Sequence, residues 1–196
     1  MKIILIIFAL FLNISYSYAD QNSPKLDELF SQLSKVKDSK EQSLIISKIW
    51  GEWMKIENPD VKIVMDNISD FFKSKNYQSA ISALTLAIEL EPNYAEAYNK
   101  RATFYFMMGD YENSMRDIEA TLYLEPRHFG ALDGLSRILI SYKNYDGALK
   151  VYQEMKKLMP NDLSVDMKIE NLNKICLLYT SPSPRDISGS RMPSSA

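Results

Sequence analysis

The stretch AEAYNKRATFYFMMGDYENSMRDIEATLYLEPRH, residues 95–128, is the clearest unit of a repeat that runs through the middle of the chain. Three residue types recur every 34 residues: Pro92, Pro126 and Pro160; Tyr77, Tyr111 and Tyr145; Leu90, Leu124 and Leu158. A fixed period of this length is typical of stacked helix-turn-helix units, each of which buries its apolar side against the next. The period therefore predicts an all-α solenoid of antiparallel helix pairs, with units at residues 61–94, 95–128 and 129–162.

Large residues, small residues and a proline recur at fixed positions within each unit. These positions hold Val64, Ile68, Phe71, Ala80, Ala87 and Pro92 in the first unit, Tyr98, Ala102, Tyr105, Ser114, Thr121 and Pro126 in the second, and Leu132, Ser136, Leu139, Ala148, Met155 and Pro160 in the third. The pattern resembles the tetratricopeptide repeat (TPR), which implies a right-handed α-solenoid. Ile68 and Met155 occupy small-residue positions, so looser packing is expected there.

The N-terminal 19 residues have the pattern of a secretory signal peptide. Lys2 precedes an apolar run, and Ser17 and Ala19 provide small residues at the spacing that a signal peptidase prefers. A retained membrane anchor is the alternative, but the run is shorter than the roughly 20 residues that a membrane-spanning helix needs. We therefore expect cleavage after Ala19, a periplasmic or secreted protein, and no stable membrane span once the signal is removed.

Further helices are expected on both sides of the repeats. Residues 20–60 predict a helical pair that begins at Ser23-Pro24, has a capping box at Ser39 and Gln42, and forms a divergent cap on the exposed end of the solenoid. Residues 163–176 predict a C-terminal capping helix. Residues 177–196 are rich in serine and proline, so they predict a disordered tail. They also resemble translated sequencing-adaptor read-through, in which case the native sequence ends near Cys176.

Composition argues against several classes of function. The net charge of −2 comes without a basic stripe, which disfavours nucleic acid as a partner. A single cysteine excludes an intramolecular disulfide. The only histidine, His128, falls in a turn, where we expect a solvated side chain without a second metal ligand. No phosphate loop or catalytic constellation is present, so the sequence predicts no enzyme activity, no cofactor and no metal.

The TPR resemblance implies a binding groove lined by the first helix of each repeat. Carried onto this sequence, the candidate groove residues are Met65, Ser69, Phe72, Asn99, Thr103, Phe106, Asp133, Arg137 and Ile140. Phe72, Phe106 and Ile140 recur at the repeat period and suggest an apolar stripe, although packing between helices explains them equally well. Such a groove holds an extended peptide or an amphipathic helix. The positions of Glu96 and Asp133 disfavour a clamp for a C-terminal carboxylate.

Three other residues need an explanation within the repeats. Arg101 occupies a position where leucine is usual, and Asp117 stands on the paired helix, which predicts an internal ion pair. Gly130 and Gly134 lie early in one helix, where each destabilises the helix by up to ~1 kcal/mol relative to alanine. Close packing against the preceding helix, or close approach of a ligand, accounts for both glycines.

The functional expectation is a protein-interaction module. Within the TPR class the chain resembles small exported bacterial proteins, on the segments DELF, AEAYNKRAT and EPRHFGAL. This resemblance implies a module of the bacterial envelope that binds a peptide or partner protein. A scaffold for self-association and an accessory subunit of an envelope enzyme complex are the alternatives. The oligomeric state does not follow from the sequence.

Overall fold

The computed structural model of the protein describes residues 23–180, with side chains to residue 177, and every regular element in this part is an α-helix. The helices are α1 Pro24–Leu33, α2 Ser39–Trp53, α3 Pro59–Lys73, α4 Tyr77–Leu90, α5 Ala95–Met107, α6 Tyr111–Leu124, α7 Phe129–Ser141, α8 Tyr145–Leu158 and α9 Leu163–Thr180. The predicted all-α fold is confirmed. The three repeats are the pairs α3–α4, α5–α6 and α7–α8, in which the first member is called the A helix and the second the B helix.

The turn between the A and B helices has the same geometry in every repeat. Lys75, Gly109 and Lys143 all have positive φ angles, of 56°, 77° and 59°. The next residue is Asn76, Asp110 or Asn144, and its side chain accepts a hydrogen bond from the backbone N–H three residues later. This cap satisfies a backbone donor at the start of each B helix. The residues that form the turn between the A and B helices thus recur with the 34-residue period, as the packing residues do.

Small residues occupy the contacts between paired helices, as the repeat pattern predicts. Ala80, Ala102, Ser114 and Ala148 are all buried, and the Ser114 hydroxyl donates a 2.8 Å hydrogen bond to the carbonyl of Ala102 on the paired A helix. The larger Ile68 and Met155, where looser packing was expected, are also buried. Their burial shows that these two positions contribute to the core.

The predicted ion pair between Arg101 and Asp117 is confirmed. The Arg101 Nε and Nη2 atoms each donate a 2.8 Å hydrogen bond to a separate oxygen of Asp117, and Nη1 donates to the Thr85 hydroxyl at 2.9 Å. The hydrogen bonds to Asp117 raise the pKa of Arg101 and outweigh the opposing effect of burial. One guanidinium therefore connects α4, α5 and α6.

The N-terminal pair α1–α2 makes its main apolar contacts with the third repeat and α9, and not with the first repeat. Leu26, Leu33, Ile45 and Ile49 are buried in a cluster that also contains Phe129 and other residues of the third repeat. The prediction placed these helices next to the repeat that follows them in sequence. They fold back instead, because the aromatic and aliphatic side chains of α1 and α2 find their apolar partners on α7, α8 and α9.

Polar contacts fix this placement of the N-terminal pair. The Gln42 side chain donates a 2.7 Å hydrogen bond to Asp162, and the Asn161 amide donates to the carbonyl of Val36 at 2.7 Å. Arg127 pairs with Asp27 at 2.6 Å, and its guanidinium lies 4.4 Å from the ring centre of Phe30. These contacts join residues about 100 or more positions apart, so local sequence patterns do not reveal them.

Three boundaries differ in detail from the sequence-based expectation. Asp38, and not Ser39, caps α2, because its carboxylate accepts hydrogen bonds from the N–H groups of Lys40 and Glu41. Helix α3 begins at Pro59, two residues before the predicted start of the repeat. Helix α9 continues to Thr180, past the predicted boundary at Cys176, because no proline interrupts the chain before residue 182. The expected signal peptide and residues 181–196 lie outside the described residues.

Candidate functional site

Two adjoining cavities lie along the A helices of the repeats. The first has a volume of 360 Å³ and is bordered by α3, α5, α6 and α7, and the second has a volume of 520 Å³ and is bordered by α2, α3 and α5. Phe72, Asn99 and Thr103 line both cavities, so together the cavities form one groove. Cavities of this size hold a small ligand or a few side chains of a larger partner.

All but one of the predicted groove residues line this groove. The first cavity contains Phe72, Asn99, Thr103, Phe106, Asp133 and Arg137, and the second contains Met65, Ser69, Phe72, Asn99 and Thr103. Ile140 is the exception, because it is partly buried against the apolar cluster that includes the third repeat. The structure therefore brings Phe72 and Phe106 to the same cavity, whereas Ile140 contributes to packing.

The two groove phenylalanines differ in exposure. Phe72 is 49% exposed, and its ring lies edge-on to Phe104 with ring centroids 6.4 Å apart. Phe106 is partly buried and lies 5.3 Å from the ring of Tyr111. Phe72 is thus the more accessible apolar surface, and Phe106 combines packing with lining of the first cavity.

Asp133 is the centre of an ion-pair network at one end of the groove. Its Oδ2 accepts a 2.7 Å hydrogen bond from Arg137, and its Oδ1 accepts from Lys168 at 2.6 Å and from the Tyr152 hydroxyl at 3.0 Å. Burial alone would raise the pKa of the Asp133 carboxyl, but hydrogen bonds from Lys168 and Arg137 outweigh it and lower the pKa. Asp133 is therefore ionised, and it connects α7 with α8 and α9.

Glu96 is a buried carboxylate at the other side of the groove. Its side chain is 1% exposed and is paired with Lys100 and His128, each at 3.0 Å. Asn99 donates a further hydrogen bond to it at 2.9 Å. Burial acts to raise the pKa of Glu96, but the hydrogen bond with His128 and the charge of Lys100 outweigh it, so the pKa is lowered. Asn99, a predicted groove residue, is positioned by this cluster.

His128 is buried, which corrects the prediction of a solvated turn residue. Its Nδ1 accepts a 3.1 Å hydrogen bond from the Ala131 N–H and so caps α7, and its Nε2 contacts Glu96. Because Nδ1 is an acceptor, Nε2 carries the proton and donates to the carboxylate. The imidazole also stacks on Trp53, with ring centroids 4.2 Å apart. The helix that covers it comes from the N-terminal pair, which the sequence did not place here.

The two helical glycines make room for different neighbours. A Cβ atom at Gly134 would lie 3.2 Å from Ile118 on the preceding B helix, so the packing explanation holds there. A Cβ atom at Gly130 would lie 2.9 Å from the ring of Trp50. The group that approaches Gly130 is thus a side chain of the N-terminal pair, which neither interpretation of the sequence predicted.

Several site residues were missed by the sequence analysis, among them Trp50, Trp53, Met54, Lys100 and His128. Trp50 and Lys100 line the second cavity, and Trp53 and His128 support it from behind. Nothing in the repeat pattern marks the tryptophans, because they lie upstream of the first repeat. The only usable signal was the unusual pairing of two tryptophans one helical turn apart in a helix without the repeat pattern.

In residues 23–177 no group of three or more His, Cys, Asp and Glu side chains could hold a metal ion. None of the described helices has both the length and the apolar character needed to cross a membrane.

Comparison with known proteins identifies the family. A family model described as tetratricopeptide repeat matches residues 83–115. A TPR repeat-containing protein of Rhizobium etli is 38% identical over 153 residues, which cover 77% of this chain and 75% of that protein. The chain therefore belongs to the tetratricopeptide repeat family, as the repeat pattern indicated.

More distant similarities agree with this assignment. Hsp70-Hsp90 organizing protein 1 of Glycine max is 30% identical over 110 residues, which cover 54% of this chain but only 19% of that protein. Among solved structures, the first TPR of Spaghetti (RPAP3) bound to HSP90 peptide SRMEEVD is similar with a TM-score of 0.57 at 16% identity, covering 62% of this chain and 98% of that chain. At this identity the structural similarity shows the fold alone.

Proposed function

We propose that this protein binds an extended segment of a partner protein in the groove along its A helices. The observation that carries the proposal is the pair of adjoining cavities, which share Phe72, Asn99 and Thr103. Extended peptides place alternate side chains on the same face, and two neighbouring pockets suit such side chains. The solved neighbour bound to an HSP90 peptide supports the general mode of binding.

The groove offers the contacts that an extended peptide needs. Phe72 presents an accessible aromatic surface, and the Asn99 and Thr103 side chains lie beside it. The ionisable residues that line the cavities are three cationic residues, Lys73, Lys100 and Arg137, and two acidic residues, Glu96 and Asp133. The excess of cationic residues favours a segment with an apolar side chain and a neighbouring acidic residue. Both groove carboxylates have internal cationic partners, so the proposal includes no reaction.

The proposed setting is the bacterial envelope. The expected signal peptide at residues 1–19 is the basis for export, and the Rhizobium etli relative makes a bacterial source consistent with it. In this setting the protein holds an exported or envelope-anchored partner. N-terminal sequencing of the protein recovered from the periplasm tests export, and a chain that retains Met1 would contradict cleavage after Ala19.

A peptide array tests binding in the groove. Immobilised heptapeptides with a varied central residue, flanked by acidic or neutral residues, are probed with the labelled protein, and the tightest peptide is then measured in solution. We expect Asn99→Ala combined with Arg137→Ala to weaken its binding by about tenfold or more, since groove-centre contacts dominate such interfaces.

The matched control changes the same residue types outside the groove. Asn67→Ala combined with Arg116→Ala removes an exposed asparagine from α3 and an exposed arginine from α6, neither of which lines the two groove cavities. This variant should bind like the parent and melt near the parent temperature. The groove variant loses hydrogen bonds to Glu96 and Asp133, so its melting temperature should be lower, and binding is compared at a temperature at which both double variants are folded. An array without a binding peptide, or equal binding by both double variants, would contradict the proposed function.

A further inference from the structure

Helix α2 forms one side of the larger cavity. Trp50 projects from α2 and Met54 directly follows the last residue of this helix, and Met65, Ile68 and Phe104 face them from the A helices α3 and α5. Met54 is 40% exposed and Trp50 is partly buried, so both present apolar surface to the space between the helices. The groove therefore has a side that does not belong to the repeats.

Burial of the adjoining face of α2 shows that this side of the groove is fixed. Ile45 and Ile49 are 4% and 0% exposed, and Trp53 is stacked on His128 with an angle of 17° between the rings. Trp50 meets His128 and Phe129 edge-on, with ring centroids 5.4 and 5.3 Å apart. Removing α2 from the repeats would expose this apolar cluster to water, at a large loss of stability.

Gly130 permits this arrangement. Its missing side chain lets the Trp50 ring approach to 2.9 Å from where a Cβ atom would lie, which is closer than real Cβ contacts. Any larger residue at position 130 would push the indole away from α7. The glycine in the third repeat and the tryptophan in the N-terminal helix thus complement each other.

We propose that the partner segment binds between α2 and the A helices, so that Trp50 and Met54 contact it directly. This inference rests on the proposed function and deepens it. The occupant is a long apolar side chain, because the larger cavity is enclosed mostly by apolar groups: Trp50, Met54, Met65, Ile68, Phe72 and Phe104. Lys100 at the same cavity is paired with Glu96, but Lys73 is 73% exposed and its ion pair with exposed Asp70 is a weak surface pair, so Lys73 can bind an acidic residue that accompanies that side chain.

A single truncation at the C-terminal end of α2 distinguishes this arrangement from a groove formed by the repeats alone. Met54→Ala should weaken binding of the peptide selected on the array by about fivefold or more, since it removes apolar contact at the cavity. Leu44→Ala is the matched control, because Leu44 is 56% exposed on the same helix and lines neither groove cavity. It should bind the peptide like the parent.

Tryptophan fluorescence gives a second measurement on the intact chain. The sequence has two tryptophans, Trp50 and Trp53, and both lie on α2. The peptide should change the emission in proportion to occupancy, and the change should disappear in Trp50→Phe. The buried Trp53 should keep its short-wavelength emission, since α2 stays in place.

The binding and fluorescence results distinguish a failure of this inference from a failure of the proposed function. If Met54→Ala binds like the parent and the tryptophan emission does not change, α2 is not part of the site. The groove proposal still stands in that case, provided that the variant with Asn99→Ala and Arg137→Ala binds weakly. A shift of Trp53 emission to longer wavelengths would show that the peptide displaces α2, which also contradicts a fixed side. If the groove variant and its control bind equally, both proposals fail.

Discussion

The imidazole of His128 stacks on the indole of Trp53, with ring centroids 4.2 Å apart and an angle of 17° between the planes. This contact joins the turn between the second and third repeats to a helix that precedes the first repeat. The same imidazole caps α7 through Nδ1 and donates to buried Glu96 through Nε2. One side chain therefore couples the N-terminal pair, a helix end and the polar cluster beside the groove.

His128 should be among the most sensitive polar positions in residues 23–177. His128→Ala removes the cap of α7, which is worth ~1 kcal/mol, and one donor to a buried carboxylate, worth ~1.5–3 kcal/mol. Asparagine is a good cap residue but is too short to reach Glu96 as well. Urea unfolding should therefore rank the free energies of unfolding as parent, then His128→Asn, then His128→Ala. Equal values for the two variants would contradict the capping role.

The ion pair between Arg101 and Asp117 should show strong coupling. Removing one partner leaves a charge in a largely buried site, which typically destabilises a protein by ~3–5 kcal/mol, whereas removing both leaves no uncompensated charge. We expect Arg101→Met and Asp117→Leu each to lower the free energy of unfolding by more than the double variant does. A double-mutant cycle by urea unfolding measures this, and a coupling energy near zero would refute it.

Acid should destabilise the protein through the two groove carboxylates. The pKa values of Glu96 and Asp133 are lowered from ordinary values of 4.5 and 3.8. Such groups contribute their full stabilisation above their ordinary pKa values and lose it as the pH falls through the lowered ones. The urea midpoint should therefore decrease between pH 5 and pH 2. It should decrease less steeply in Glu96→Gln with Asp133→Asn, and parallel curves would contradict this assignment.

Two lysines in the turns offer a way to stabilise the fold. Lys75 and Lys143 have left-handed backbone conformations, as Gly109 does in the second repeat. A left-handed conformation disfavours a residue with a Cβ atom by ~1–2 kcal/mol, and glycine loses part of that gain through its flexibility when unfolded. Lys75→Gly and Lys143→Gly should each raise the melting temperature by a few degrees, while Gly109→Ala should lower it. The absence of any rise would show that these turns are not strained.

The periodic part of the fold could be predicted from the sequence, because its information is local and is repeated three times. Proline stops, small buried residues and the pair of Arg101 and Asp117 all follow from positions within one repeat. The cavities contain most of the predicted groove residues for the same reason, since the A helices present equivalent faces. Ile140 differs because the third repeat packs against α1, α2 and α9.

The N-terminal pair could not be placed from the sequence. Its contacts with Arg127, His128, Gly130 and Asp162 join segments far apart in the chain, and no periodicity relates them. A turn histidine is normally hydrated, and only the position of Trp53 shows that His128 is covered. Gly130 likewise has no local explanation, because the group that requires the space is Trp50.

Methionine methyl groups provide the most direct test of binding in the groove. Met65 and Met107 line the two cavities, whereas Met159 is buried near the third repeat and Met167 is exposed on α9. In protein labelled with ¹³C at the methionine methyls, the peptide selected on the array should shift the NMR signals of Met65 and Met107 and leave those of Met159 and Met167 unchanged. Shifts confined to Met159 and Met167, with the cavity signals unmoved at saturation, would contradict the proposed groove.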